Sequence, residues 1–172
     1  YRIHIFKEKW VYVDANDAEF PIDKNDFSTT VNGTKITFDA VFNAIHGTPG
    51  EDGLMQAYFE LLGIPQTSCD YYQAALTFNK RDLLSVLKPY GIKTATSYYL
   101  NKGDHIDTSE IVNKVGLPCF VKPNKSGSSF GVTKVKNEDD LEAAIQFAFK
   151  EDDEILIESF LVVFIVSPAC QT

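Results

Sequence analysis

Between Cys119 and Val135 the chain runs from an apolar segment into a loop of small residues and back into a second apolar segment, with Lys122 at the loop entrance. Phe120 and Val121, and then Val132, Thr133 and Val135, have the β-branched and aromatic content of strands. The SGSSFG run at residues 126–131 is too rich in Gly and Ser to hold either regular structure. The stretch therefore reads as strand, loop, strand. A backbone free of large side chains can turn several N–H groups onto one anion, and a lysine beside it adds a point charge that suits phosphate oxygens. A plain hairpin with a flexible loop and a surface lysine fits the same pattern, so the choice depends on the rest of the chain.

With 172 residues, 44% of them hydrophobic, the chain can bury a core as one domain or as two small ones. Its formal charge of -8, from 16 Lys and Arg against 24 Asp and Glu, supplies no broad basic face, which argues against a nucleic-acid partner. A local lysine cluster can still hold a small anion. Cys69, Cys119 and Cys170 have no disulfide-framework or metal spacing, so reduced thiols in the cytoplasm are expected. No apolar run reaches membrane-spanning length and no signal peptide opens the chain, so no membrane partner is expected. The chain opens directly in a strand-like alternation and stops soon after an apolar run, which reads as a fragment.

Taken in order, Arg2 to Phe6 and Trp10 to Val13 are short strand patterns, expected at the periphery. Asn32-Gly33 is a two-residue hairpin signal between Val31 and Lys35. Residues 38–45 read as a buried parallel strand that delivers the HGTPGEDG loop, residues 46–53. Leu54, Ala57, Tyr58, Leu61 and Leu62 then repeat at helical spacing, with Gly63 as the stop. A strand, a glycine loop and a helix make half of a βαβ unit, whose ligands sit at the carboxyl ends of its strands. Helices follow over residues 70–77 and 79–90, the second with Leu83, Val86, Leu87 and Tyr90 on one face. Residues 94–100 read as a strand. Asp107 and Glu110 open a helix that Gly116 stops, and Asn137 caps another with Leu141, Ala144, Ile145, Ala148 and Phe149 in a stripe. Residues 154–160 form a last strand carrying Glu158. The expected class is α/β with α+β character in its second part: a parallel-sheet region over residues 1–68, helices on antiparallel strands over 69–160, and a remnant over 161–172. The linker is expected within residues 66–70.

With those residues in place, the chain resembles the D-alanine–D-alanine ligases of the ATP-grasp family. Three motifs carry the likeness: HGTPGEDG at 46–53, NKR at 79–81 and FVKPNKSGSSFGV at 120–132, followed in order by ILIESFL at 155–161. The resemblance covers roughly residues 1–161. It implies a partial ATP-grasp fold, with ATP and magnesium as cofactors and D-alanine as the other ligand. Lys122 and Lys80 would bind ATP phosphates. The loop formed by Ser126, Gly127, Ser128 and Ser129 would close over the γ-phosphate, Ser128 touching the amino-acid site. Glu158 would accept from the adenine amino group while the main chain of Ser159 and Leu161 reads the ring edge. His46 would stand near the second amino acid. Glu51 and Asp52, just before a helix, suit the helix dipole better than a metal. The implied reaction phosphorylates one D-alanine carboxylate, and the amine of a second D-alanine then attacks the acyl phosphate. A homodimer is in keeping with the family.

The same resemblance implies what this sequence lacks: the glycine-rich first strand with its glutamate, and the C-terminal catalytic half with its metal ligands. Between Phe160 and Thr172 there is no Asp, Glu, Arg or Lys. The chain as given is therefore expected to be inactive, a truncated or mispredicted copy of a ligase. The alternatives are a non-catalytic nucleotide-binding module of the same fold, or another ATP-grasp carboxylate–amine or D-alanine–D-lactate ligase. The apolar tail is expected to lower stability or cause aggregation.

Overall fold

The structure is a computed structural model that describes residues 1–161. The apolar stretch at 162–166, and the remnant and aggregation-prone tail expected of it, lie outside the described residues. The chain forms two compact units, Tyr1–Ala74 and a second from Ala75 onward.

The N-terminal unit is built on a five-stranded antiparallel meander: β1 (Arg2–Phe6), β2 (Lys9–Val13), β3 (Glu19–Asp23), β4 (Ser28–Val31) and β5 (Thr34–Ile36), in that spatial order. Asn32 and Gly33 both take positive φ, 49° and 80°, and Val31 pairs with Thr34, as a type I′ turn requires. β1, expected at the periphery, is an edge strand of this sheet, and β2 lies next to it. Ile3, Ile5, Trp10 and Tyr12 pack toward a core of Ile22, Phe27, Met55 and Phe59. Phe27 and Phe59 meet edge to face at 4.9 Å between ring centroids. β3 escaped the sequence reading because Pro21 sits inside it, and proline ordinarily demotes a strand pattern.

Two further expectations are corrected here. Residues 38–45 run extended but form a single parallel bridge, Val41 with Gln66. The Val41 N–H donates to the Pro65 carbonyl at 2.8 Å and the Thr67 N–H to the Val41 carbonyl at 3.1 Å. A strand needs a neighbour along its hydrogen-bonding edge, and among the described residues only 65–67 supplies one; Phe42 on the opposite side is 80% exposed. The mixed α/β class holds, with this unit's sheet antiparallel. In α1 (Leu54–Leu62) the buried residues are Met55, Gln56 and Phe59, while Leu54 and Leu61 are 60% and 87% exposed. Apolar residues lie almost all round this helix, so periodicity alone does not select the inward face. Gly63 stops it in the left-handed conformation, its N–H on the Glu60 carbonyl.

α2 (Tyr71–Phe78) straddles the junction between the units. The second unit holds a four-stranded antiparallel sheet in the order β6 (Ser97–Asn101), β9 (Glu154–Ser159), β7 (Cys119–Pro123), β8 (Thr133–Val135). Cys119, Val121, Ile155, Ile157, Leu100 and Val135 point to one face, where α4 (Thr108–Val115) and α5 (Leu141–Ala148) cover them with Ile111, Val115, Leu141, Ala144, Ile145 and Ala148. The Asp107 carboxylate accepts the Glu110 N–H at 2.9 Å and starts α4. Asn137 precedes a single 3-10 turn, and its Nδ2 donates to Asp140 at 3.2 Å, so α5 itself begins at Leu141. α3 (Lys80–Leu87) passes into a 3-10 turn at Lys88–Tyr90. Its expected apolar face has no buried residue, and Tyr90 is 79% exposed.

Candidate functional site

The face of the second sheet opposite α4 and α5 carries the polar chemistry. Strand alternation sends Phe120 and Lys122 of β7, Lys134 of β8, and Glu154, Leu156 and Glu158 of β9 to this side. Phe120 pairs with Glu158 and Lys122 with Leu156, which brings the Lys122 ammonium to the Glu158 carboxylate diagonally across the two strands. Lys122 Nζ donates to Glu158 Oε2 at 2.5 Å, with the side chains 27% and 13% exposed. The ammonium also stands 5.5 Å from the Phe120 ring centre. Lys134 lies over the Phe160 ring, 3.8 Å from its centroid.

Lys80 reaches this face from the first turn of α3. Its Nζ donates to the carbonyls of Asn124 (3.1 Å) and Ser126 (2.8 Å), at the base of the small-residue loop. Burial first, and then the Lys122 charge, hold the Lys80 ammonium below the usual lysine pKa. Two lysines that repel one another in a partly dry place fit an anion that both can share.

Asn124, absent from the sequence-based candidates, organises this arrangement. Its side chain is buried and fully engaged: Oδ1 accepts the Arg81 N–H at 2.8 Å, and Nδ2 donates to Asn79 Oδ1 at 2.8 Å and to Glu154 Oε2 at 2.9 Å. Its own N–H donates to the Glu154 carbonyl at 2.9 Å. One buried amide thus joins the N-terminus of α3 to β9 just where β7 enters the loop. Asn79 in turn caps α3 by accepting the Asp82 N–H. Glu154 is held below the ordinary carboxylate pKa by Lys125 and then by Asn124. The one signal in the sequence was a polar residue directly after an alternating strand.

The loop at residues 126–131 is bound mostly to itself. The Phe130 N–H donates to the Gly127 carbonyl at 3.2 Å and the Val132 N–H to that of Ser129 at 3.3 Å. Ser128 and Ser129 take positive φ, 49° and 61°. Among the described residues no acceptor meets the N–H groups of Gly127, Ser128 or Ser129. At the loop's far end a Cβ on Gly131 would stand 2.6 Å from Pro123 Cγ and 2.8 Å from Glu151 Cγ, so only glycine fits there. Ser128, Ser129 and Phe130 are exposed.

At the end of β9 the Ser159 N–H donates to the Thr96 carbonyl (2.9 Å), while Ser159 Oγ accepts the Thr96 N–H (3.1 Å). The Ser159 N–H is thereby spent inside the fold. Leu161 is exposed.

His46 belongs to the other unit, exposed at the start of its loop. Glu51 accepts the Gly47 N–H at 2.6 Å, and Asp52 accepts the Leu54 N–H at 3.2 Å at the head of α1. Both acids have structural partners. Gly50 is required for packing: a Cβ there would fall 2.4 Å from both Ile45 Cβ and the Ile45 carbonyl oxygen. Its carbonyl accepts from Gln56 at 2.6 Å and Asn43 at 2.8 Å.

The donor set of the second unit, two ammonium groups beside loop N–H groups, fits a polyphosphate. Magnesium is not matched in the same way, because among the described residues no group of three or more His, Cys, Asp or Glu can hold a metal ion.

Sequence models described as D-ala D-ala ligase N-terminus and D-ala D-ala ligase C-terminus match residues 6–69 and 86–164. A D-alanine–D-alanine ligase from Flavobacterium johnsoniae is 83% identical over 161 residues, which are 94% of this chain and 50% of that protein. One from Christiangramia forsetii is 66% identical over 94% of this chain and 49% of its own length. Among solved structures, D-alanyl-alanine synthetase A from Vibrio cholerae superposes with a TM-score of 0.80 at 29% identity, over 94% of this chain and 48% of that one. The VanG D-Ala:D-Ser ligase from Enterococcus faecalis gives 0.76 at 30% identity, over 91% and 51%. The chain spans about half the length of the curated relatives it matches. The two consecutive matches cover most of the sequence, and the chain belongs to the D-alanine–D-alanine ligase family.

Proposed function

We propose that this chain supplies the nucleotide-gripping portion of an ATP-dependent D-alanine–D-alanine ligase of peptidoglycan precursor synthesis, working in the cytoplasm. The observation that carries the reading is the pair of ammonium groups of Lys80 and Lys122, which feel one another's charge, with Lys80 bound at the base of a loop, at the Ser126 carbonyl, whose Gly127 to Ser129 N–H groups have no acceptor among the described residues. In the overall reaction a carboxylate oxygen of the first D-alanine attacks the γ-phosphorus, and the bond to the ADP oxygen breaks. The amine of the second D-alanine then attacks the acyl carbon, expelling phosphate and losing a proton.

Within it, Lys122 and Lys80 neutralise repulsion among phosphate oxygens, and the loop at Ser126 to Ser129 donates to the transferred phosphoryl group. Glu158 accepts from the base amino group, and the main chain at Ser159 and Leu161 borders the ring. Ser128 and His46 are assigned to the amino-acid ligands from the motifs they belong to, each within its own unit. The described residues offer no ligand set for magnesium. A homodimer is the family-like assembly, and among the described residues no helix is long and apolar enough to cross a membrane.

This chain alone is expected to bind nucleotide without turnover. Titration with a non-hydrolysable ATP analogue tests the grip, and phosphate release in the presence of ATP with D-alanine, D-serine or D-lactate tests for catalysis. An undetectable affinity for the analogue would remove the proposal's basis, and D-alanine-dependent phosphate release by the chain would overturn the expected inactivity.

A further inference from the structure

We propose that Glu158 is a specificity lock on the phosphate-binding lysine: its carboxylate sequesters Lys122 until a ligand brings an amino group to take the lysine's place. The inference rests on the assignments of Lys122 to phosphate and Glu158 to the base amino group, and it concerns their mutual competition. Lys122 Nζ and Glu158 Oε2 are in direct contact at 2.5 Å, and Glu158 is the better shielded of the two. Among the described residues Lys122 is the one cation in salt-bridge contact with the carboxylate, whose charge Lys80 also feels. Lys80 is committed to the Asn124 and Ser126 carbonyls, and Lys134 lies over the Phe160 ring. Ser97, opposite Glu158 on β6, spends its hydroxyl on the Ala95 carbonyl.

A ligand with phosphates alone must therefore draw Lys122 away and leave a shielded carboxylate unpaired, facing an anion. Losing one partner of such a pair is more costly than never forming it. A ligand carrying both an amino-bearing base and phosphates exchanges the pair instead: its oxygens take the ammonium, and its amino group donates to the carboxylate. Specificity then arises from a penalty against the wrong ligand as well as from contacts to the right one. Glu158 has two roles, reader of the base and guard against inorganic polyphosphate.

The test is calorimetric titration of the 172-residue chain and its Glu158→Gln variant with tripolyphosphate and, separately, with a non-hydrolysable ATP analogue. E158Q is expected to bind tripolyphosphate about tenfold more tightly, the change that about 1.4 kcal/mol of released competition gives, and to gain nothing for the ATP analogue. Glu158→Asp, which draws the carboxylate back while keeping its charge, is expected to move tripolyphosphate affinity in the same direction by less. Thermal melts of each variant verify folding, and the E158D result stands alone if E158Q does not fold. Unchanged, weaker or undetectable tripolyphosphate binding in the folded variants overturns the lock. Failure of the parent chain to bind the ATP analogue overturns the nucleotide assignment, and with it release of the lock by a base amino group, while a gain for tripolyphosphate in E158Q would still uphold the sequestering of Lys122 by Glu158.

Discussion

Asn124 shows how one amide can fix the spacing of two charged groups. It ties the first turn of α3, where Lys80 begins, to the strand end two residues beyond Lys122. Asn124→Ala would strand the Arg81 N–H and remove two donated bonds in a buried place, so a loss of about 2–3 kcal/mol is expected from the shift of the denaturant midpoint. Lys80 gives a second prediction. Its pKa is depressed in the fold, so the folded state releases this proton more readily than the unfolded chain. The penalty for keeping Lys80 charged is fully present below its folded pKa and is relieved as pH rises toward 10.5, the ordinary lysine value of the unfolded chain. A bound phosphate needs the charged form, so analogue affinity should fall as pH rises through the depressed pKa. Calorimetry at alkaline pH should also show proton uptake on binding, which Lys80→Met should abolish. Lys122 was legible as a candidate from the strand and small-residue loop beside it, and Glu158 through the family resemblance of the strand that carries it. Their pairing was not, since it depends on strand register rather than on local sequence.

At the level of elements, legibility followed how local each signal was. The Asn32-Gly33 turn, the Asp107 cap and the stripe from Leu141 to Ala148 depend on a few neighbouring residues, and each appears in the fold as an element. Residues 38–45 and the apolar face of α3 depend on partners distant in sequence. Without those partners an apolar pattern does not become a sheet strand or a buried face. Glycines mark where close approach matters. Gly50→Ala would drive its Cβ into Ile45, and Gly131→Ala would meet Pro123 and Glu151 at a φ of 69°. Each should destabilise its own unit by about 1–3 kcal/mol, the range for overpacking. Hydrogen exchange should then locate the faster-opening amides in α1 for G50A and in β7 and β8 for G131A. Equal loss of protection in both units would show that the close approaches are not local.

For the whole molecule, the chain's two units bear different candidate groups, His46 in one and the lysine, loop and carboxylate cluster in the other. Family membership follows from matches that run through both units. The chain spans about half the length of its relatives. The role proposed for the chain alone is to hold a nucleotide by its phosphates. Titration of the chain with a non-hydrolysable ATP analogue, beside the Lys122→Ala variant, tests this most directly. Measurable binding that weakens about tenfold or more on loss of the lysine is the predicted result, the scale of one charge-assisted contact; equal affinity in the two proteins, or none in the parent chain, would contradict it.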